Sequence, residues 1–202
     1  MNPIYLVILI VILGIWSYNL HKKYPNKENN EKKALIENID SIIFAGITAL
    51  IIITFIVRTF YIPSSSMVPT LQINDFIIVN KFVYNFYNQA RHDIVVFHPP
   101  AEAHAEGKDF IKRIVAVAGD TVEIKSGVLF INDVAQNEEY ILEPIMYDME
   151  RITVPKDSYF VMGDNRDGSS DSRDSRIGLI KKENILGKTI LRLWPLNKIK
   201  TL

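Results

Sequence analysis

Tyr61-Ile62-Pro63-Ser64-Ser65-Ser66-Met67-Val68-Pro69-Thr70-Leu71 is where the chain changes character. Two apolar runs precede it, and short strand-like segments follow it. Three consecutive serines between two prolines make poor core. Each proline fixes φ and removes an amide donor, so the stretch is predicted to be stiff and either extended or turned. A hydroxyl held on such backbone is a candidate nucleophile. A polar neck between an anchor and a folded domain explains the same residues equally well.

Downstream, the segments read as strands. Asp75–Phe82 carries Phe76-Ile77-Ile78-Val79, Arg91–Phe97 carries Ile94-Val95-Val96-Phe97, and Phe110–Val117 is again rich in apolar residues. Thr121–Lys125 alternates with period two, Ser126-Gly127 follows, and Val128–Ile131 resumes, which is a hairpin signal closed by Asn132-Asp133. Arg151–Val154, Tyr159–Met162 and Ile190–Leu193 complete the set. Residues 98–109, with two prolines and Gly107, read as a surface loop. Many short strands and no long amphipathic helix indicate a mainly β, antiparallel domain over residues 63–202.

Upstream, residues 3–18 are almost entirely apolar, and Ile42–Val57 forms a second run flanked by Arg58 and the aromatics Phe60 and Tyr61. A membrane span needs about 20 apolar residues, so both runs are expected to span with help from their flanks: a first segment at 1–20 and a second at 41–62. The first run lacks the charged start and small-residue site of a cleaved leader. Lys22, Lys23, Lys27, Lys32 and Lys33 between the runs place residues 21–40 on the cytoplasmic side. That topology puts residues 63–202 on the outer face.

The 202 residues carry 23 Lys and Arg against 23 Asp and Glu, and no Cys. The neutral balance, without a basic stripe among aromatics, argues against nucleic acid. Without Cys there is no disulfide framework, thiol nucleophile or thiolate metal site. His98 and His104 bracket a Pro-Pro-Ala-Glu-Ala segment that reads as loop rather than as a metal site.

Two further stretches bear on the serines. In Phe110-Ile111-Lys112-Arg113-Ile114, alternation puts Phe110, Lys112 and Ile114 on one face and Ile111 and Arg113 on the other. One cation therefore shares an apolar neighbourhood or sits at a sheet edge. A lysine at an apolar site is pushed toward its neutral form and can then accept a serine proton without any histidine. An edge-strand lysine that reaches solvent remains open on periodicity alone. Gly163 to Gly178 packs four Asp, three Arg and four Ser into sixteen residues. It lacks the residue order of a helix-flanked calcium loop. It suits an ion-pair network around a turn that holds a neighbouring strand.

Together these pieces resemble the bacterial type I signal peptidases, membrane-bound Ser/Lys endopeptidases. The resemblance rests on Pro63-Ser64-Ser65-Ser66-Met67-Val68-Pro69-Thr70-Leu71, Asp93-Ile94-Val95-Val96, Ile111-Lys112-Arg113-Ile114-Val115, Gly163-Asp164-Asn165-Arg166-Asp167 and Ser169-Ser170-Asp171-Ser172-Arg173, in that order. It implies a β-sheet or barrel catalytic domain after N-terminal transmembrane helices. It also implies Ser66 as nucleophile, selected by the Met-x-Pro-Thr register, and Lys112 as general base. Ser64 and the Ser66 N–H would form the oxyanion hole, and Ser169 would orient the lysine. Asp164, Arg166, Asp171 and Arg173 would support them. The implied reaction is removal of signal peptides from exported preproteins after Ala-x-Ala-type sites. It requires no metal or cofactor, has membrane lipid as a neighbour, and takes place at the bacterial cytoplasmic membrane on its extracytoplasmic face.

Ile77, Val79, Ile114 and Val115 are candidate pocket walls. The chain departs from the family pattern at Ala118-Gly119-Asp120, where a proline is usual, at His92, where a glycine is usual, and at Asp174-Ser175-Arg176. A self-processing Ser/Lys protease and a non-catalytic membrane-anchored binding domain are the alternatives. Neither accounts for the apolar segments and all three motifs together.

Overall fold

The computed structural model describes residues 10, 12–19, 22, 30–51, 56–105 and 107–202. The chain forms two compact units, Met1–Val57 and Arg58–Leu202. In the first, residues 12–19 are helical, and a 22-residue helix, α1 (Asn30–Ile51), follows. The Ser17 hydroxyl donates to Asp40 Oδ1 at 2.7 Å.

The expected transmembrane spans at 1–20 and 41–62 are not upheld. Among the described residues no helix is long and apolar enough to cross a membrane. Most of the first run, residues 3–9 and 11, lies outside the described residues. In the second, α1 spends its first half on Glu31, Lys32, Lys33, Glu37 and Asp40, leaving the ten residues Ile42–Ile51 as its apolar part. At the helical rise that part covers about 15 Å, half the thickness of a bilayer core. Residues 52–55 lie outside the described residues. From Val57 the chain is a strand, so the aromatic flank meant to finish the span belongs to the β-sheet. The two-span placement in a bacterial cytoplasmic membrane, with residues 63–202 on the extracytoplasmic face, falls with those spans.

Among the described residues the β region has twelve strands: β1 (Val57–Tyr61), β2 (Phe76–Asn80), β3 (Ile94–Phe97), β4 (Phe110–Ala116), β5 (Thr121–Lys125), β6 (Val128–Ile131), β7 (Val134–Ala135), β8 (Met149–Thr153), β9 (Ser158–Met162), β10 (Ile180–Lys181), β11 (Ile185–Trp194) and β12 (Lys200–Thr201). The larger sheet runs β1-β2-β11-β3-β4-β9-β10, with β12 on β11, and the smaller runs β7-β6-β5-β8. The pairings from β2 through β10 are antiparallel, as are those of the smaller sheet. The predicted β domain is therefore present.

The hairpin β5–β6 turns at Ser126 (φ 49°) and Gly127 (φ 78°), the doubly left-handed geometry that suits the twist of two paired strands. Asn132 (φ 52°) and Asp133 (φ 65°) repeat it between β6 and β7.

β4 lies at the centre because apolar cores cover both of its faces. Ile111 packs with Ile62, Met67, Leu71, Ile77 and Val79. Ile114 packs with Val95, Phe97, Tyr159 and Val161. Val115 and Ala116 turn toward Phe160, Met162 and the small sheet, after a register shift between Ile114 and Ala116. Ile77, Val79, Ile114 and Val115, candidate pocket walls from sequence, are thus interior core residues.

Candidate active site

Ser66 sits on the loop between β1 and β2, and its neighbours fix it there. Ile62, Met67 and Leu71 are buried at 2% exposure or less, and each buried apolar side chain of this size contributes about 1.5–3 kcal/mol. Leu71 N–H donates to Met67 O at 2.8 Å and Val68 N–H to Ser65 O at 3.1 Å, closing the turn. The stretch expected to be stiff is therefore a turn anchored in core on both sides of the serine. Ser64 and Ser65 are exposed, whereas Ser66 is buried.

The amine of Lys112, on β4, donates to Ser66 Oγ at 2.8 Å. Alternation along β4 puts Lys112 with Phe110, whose ring centroid is 5.5 Å from Nζ. Ile111 and Arg113 take the other face. The lysine is 4% exposed. Burial brings its pKa down from 10.5 to about 8. The charge of Asp171 opposes that shift, Arg173 adds to it, and Asp164 opposes it. An amine so placed is partly neutral near pH 7 and already hydrogen-bonded to a hydroxyl.

Ser64 Oγ lies 3.4 Å from Ser66 Oγ. Among the described residues no acceptor takes the Ser66 N–H, which leaves that donor available. The pair opens on a groove of about 650 Å³ lined by Phe60, Pro63, Ser64, Phe110 and Ile111. Beside it, Phe110, Ile111 and Lys112 pair with β3, while β9 pairs with β4 only from Arg113 onward.

The Gly163–Arg173 loop packs against the serine. Asn165 N–H donates to Ser66 O at 3.1 Å, and Asn165 Nδ2 donates to Ser65 O at 3.2 Å. A Cβ on Gly163 would stand 2.3 Å from Ser169 Oγ and 2.5 Å from Ser66 O, so only glycine fits. Ser169 donates its hydroxyl to Asp171 Oδ2 at 2.8 Å. Among the described residues it has no hydrogen bond to Lys112. Asp171 also accepts from Gly163 N–H at 2.9 Å and from Arg173 Nε at 2.7 Å.

Asp164, fully buried, takes both arms of Arg113 at 2.9 and 2.7 Å. Arg166 donates through Nε to Gly163 O at 3.0 Å and through both terminal nitrogens to Glu138 at 2.6 and 2.7 Å. The alternating Asp and Arg residues thus form an ion-pair network around a turn. Their partners Arg113 and Glu138, the Asn165 that binds the Ser65 and Ser66 carbonyls, and the close approach at Gly163 are not assigned from the sequence. Arg113 carried a faint signal there, a second cation beside Lys112 in an apolar strand. Glu138 carried none. Among the described residues no group of three or more His, Cys, Asp or Glu side chains is placed to hold a metal ion.

A family model described as "Signal peptidase, peptidase S26" matches residues 35–194. The chain is 40% identical over 166 residues to the probable signal peptidase I-1 of Synechocystis sp., covering 80% of this chain and 84% of that protein. It is 40% identical over 169 residues to signal peptidase I of Leptolyngbya laminosa, covering 82% of each. It is 36% identical over 185 residues to signal peptidase I P of Bacillus subtilis subsp. natto, covering 87% of this chain and 97% of that protein.

Proposed function

The chain belongs to the signal peptidase family, peptidase S26, and is a serine endopeptidase of that type; on that premise we propose that Ser66 and Lys112 are its catalytic dyad and that it removes signal peptides from exported preproteins. The observation that carries the reading is the buried 2.8 Å contact between an amine of lowered pKa and a hydroxyl.

Neutral Lys112 takes the Ser66 proton as Oγ attacks the scissile carbonyl carbon. The Ser66 N–H and the Ser64 hydroxyl stabilise the oxyanion, where one such donor is worth about 3–4 kcal/mol. The lysine ammonium then gives its proton to the leaving amine, and the acyl-enzyme forms. The same lysine, neutral again, takes a proton from water as the water attacks the ester. Collapse returns the proton to Ser66 Oγ and releases the new carboxyl terminus.

Ser169 holds Asp171, and Asp171 sets the field at the lysine. Asp164, Arg166 and Arg173 keep the loop against Ser66. The substrate lies extended in the groove and adds main-chain hydrogen bonds at Phe110–Lys112, where β4 lacks a β9 neighbour. The small side chains that the family resemblance implies one and three residues before the cut, as at Ala-x-Ala sites, would enter this groove beside Phe60, Ile111 and Phe110.

The test is cleavage of a preprotein with an Ala-x-Ala site by wild type, Ser66→Ala, Lys112→Ala and Ser65→Ala. Activity in wild type and Ser65→Ala alone supports the dyad and its register. Cleavage at the same site by Ser66→Ala refutes the nucleophile.

A further inference from the structure

We propose that the connection between β7 and β8, through Glu138 and Tyr140, is a positioning element for the Ser66–Lys112 pair. The inference rests on the dyad reading given above and adds residues that lie outside every motif used to reach it.

Residues 136–142 leave the small sheet and pass over the segment Gly163–Arg166. They grip it at three points. Glu138, its side chain 6% exposed, binds Arg166, whose side chain is wholly buried, at 2.6 and 2.7 Å. Arg166 in turn holds Gly163 O at 3.0 Å. The Tyr140 ring lies 4.0 Å from the Arg113 guanidinium carbon, and that arginine holds Asp164 by both oxygens. Tyr140 OH donates to Glu138 Oε1 at 2.7 Å, tying the first two grips together. Leu142 N–H donates to Asp164 O at 3.0 Å.

The other side of the same segment bears on the nucleophile. Asn165 N–H donates to Ser66 O, Gly163 has no room beyond its Cα against Ser66 O, and Gly163 N–H anchors Asp171. A carboxylate in the strap is thus three contacts from the serine backbone and three from the aspartate whose charge acts on Lys112. None of Glu138, Tyr140 or Leu142 lines the groove. The strap therefore acts on the alignment of Ser66 and Lys112, and so on kcat, rather than on substrate binding.

It also acts on the lysine's titration. The charged groups acting on Lys112 are Asp171 and Asp164, which favour the ammonium, and Arg173, which disfavours it, while burial outweighs all three. When the strap loosens, Gly163–Arg166 shifts and water reaches the amine. The ammonium is then favoured, and the rise of activity with pH moves to higher pH.

The experiment measures kcat, KM and the pH–rate profile of the full chain on an Ala-x-Ala peptide, for wild type, Glu138→Gln and Tyr140→Phe, with Ser66→Ala alongside and thermal unfolding as the check on folding. In Glu138→Gln, kcat falls about tenfold or more, KM stays within about twofold because the groove is untouched, and the half-rise of activity moves to higher pH. Tyr140→Phe keeps the ring on Arg113, loses the hydrogen bond to Glu138, and shifts both readouts the same way by less. Unchanged kcat in a folded variant, or lower kcat with an unmoved half-rise, overturns the proposal. If Glu138→Gln does not fold, Tyr140→Phe decides by the same two readouts. Cleavage by Ser66→Ala would instead sink the dyad reading itself.

Discussion

Gly163→Ala is the smallest change that separates a site built by close packing from one built by side-chain identity alone. Gly163 is not among the glycines in the left-handed region, so alanine meets no backbone strain there and only space decides the outcome. The added Cβ would stand 2.3 Å from Ser169 Oγ, 2.5 Å from Ser169 Cβ and 2.5 Å from the carbonyl oxygen of Ser66. Ordinary contact needs roughly 1 Å more at each. The Ser169 side chain can be removed, but the Ser66 carbonyl is backbone and carries the proposed nucleophile with it. A misplacement of about 1 Å costs on the order of 100-fold in rate, about 2.7 kcal/mol of transition-state stabilisation. Overpacking costs about 1–3 kcal/mol of stability in addition. Steady-state kinetics on an Ala-x-Ala peptide should show kcat reduced by about that factor with KM little changed, and thermal unfolding should show a lower midpoint. Adding Ser169→Gly should recover part of the stability but not the rate, because the Ser66 contact persists. Wild-type kcat within about threefold, at an unchanged midpoint, would refute the packing argument.

Two further outcomes follow from buried contacts and backbone geometry. Asp164→Asn leaves the Arg113 guanidinium, 10% exposed, without its carboxylate; removing one partner of such a pair costs about 3–5 kcal/mol, readable by denaturant unfolding. His92 occupies φ 73° where the family pattern has glycine, so His92→Gly should stabilise the protein by up to about 1 kcal/mol despite loss of the ring's contact with Tyr140. A lower midpoint in the same unfolding assay would contradict that.

The β region was legible because its cues are local. Gly127, Asn132 and Asp133 announce turns whose φ values such residues adopt more readily than others, and period-two alternation predicted which face Lys112 takes. The serine loop was legible through its two prolines and flanking apolar residues, which turned out to be core anchors. The run from Ile42 to Ile62 misled because apolar content does not distinguish the flank of a membrane helix from an edge strand. Val57, Thr59, Phe60 and Tyr61 are β-branched and aromatic, and they form β1, the neighbour of β2 in the larger sheet. Arg58 in their midst lines the groove instead of flanking a span. The partners of the charged loop were hidden for a different reason. Glu138 is far from Arg166 in sequence, and nothing in Asn137-Glu138-Glu139-Tyr140 separates the buried glutamate from its exposed neighbour. Long-range choices of this kind are made by the fold and leave no periodic trace.

The central claim is that a buried, neutral lysine activates Ser66, and the pH–rate profile of the wild-type chain tests it most directly. A pKa lowered from 10.5 to about 8 leaves about one lysine in ten neutral at pH 7, against about three in ten thousand for an ordinary lysine. Because the charged form is the inactive one, kcat/KM should be low at pH 6, rise tenfold per pH unit, and reach half its plateau near pH 8. A half-rise near 6.5 would point to an imidazole in place of the lysine, and one near 10 would mean an amine that is not buried; either result would contradict the account.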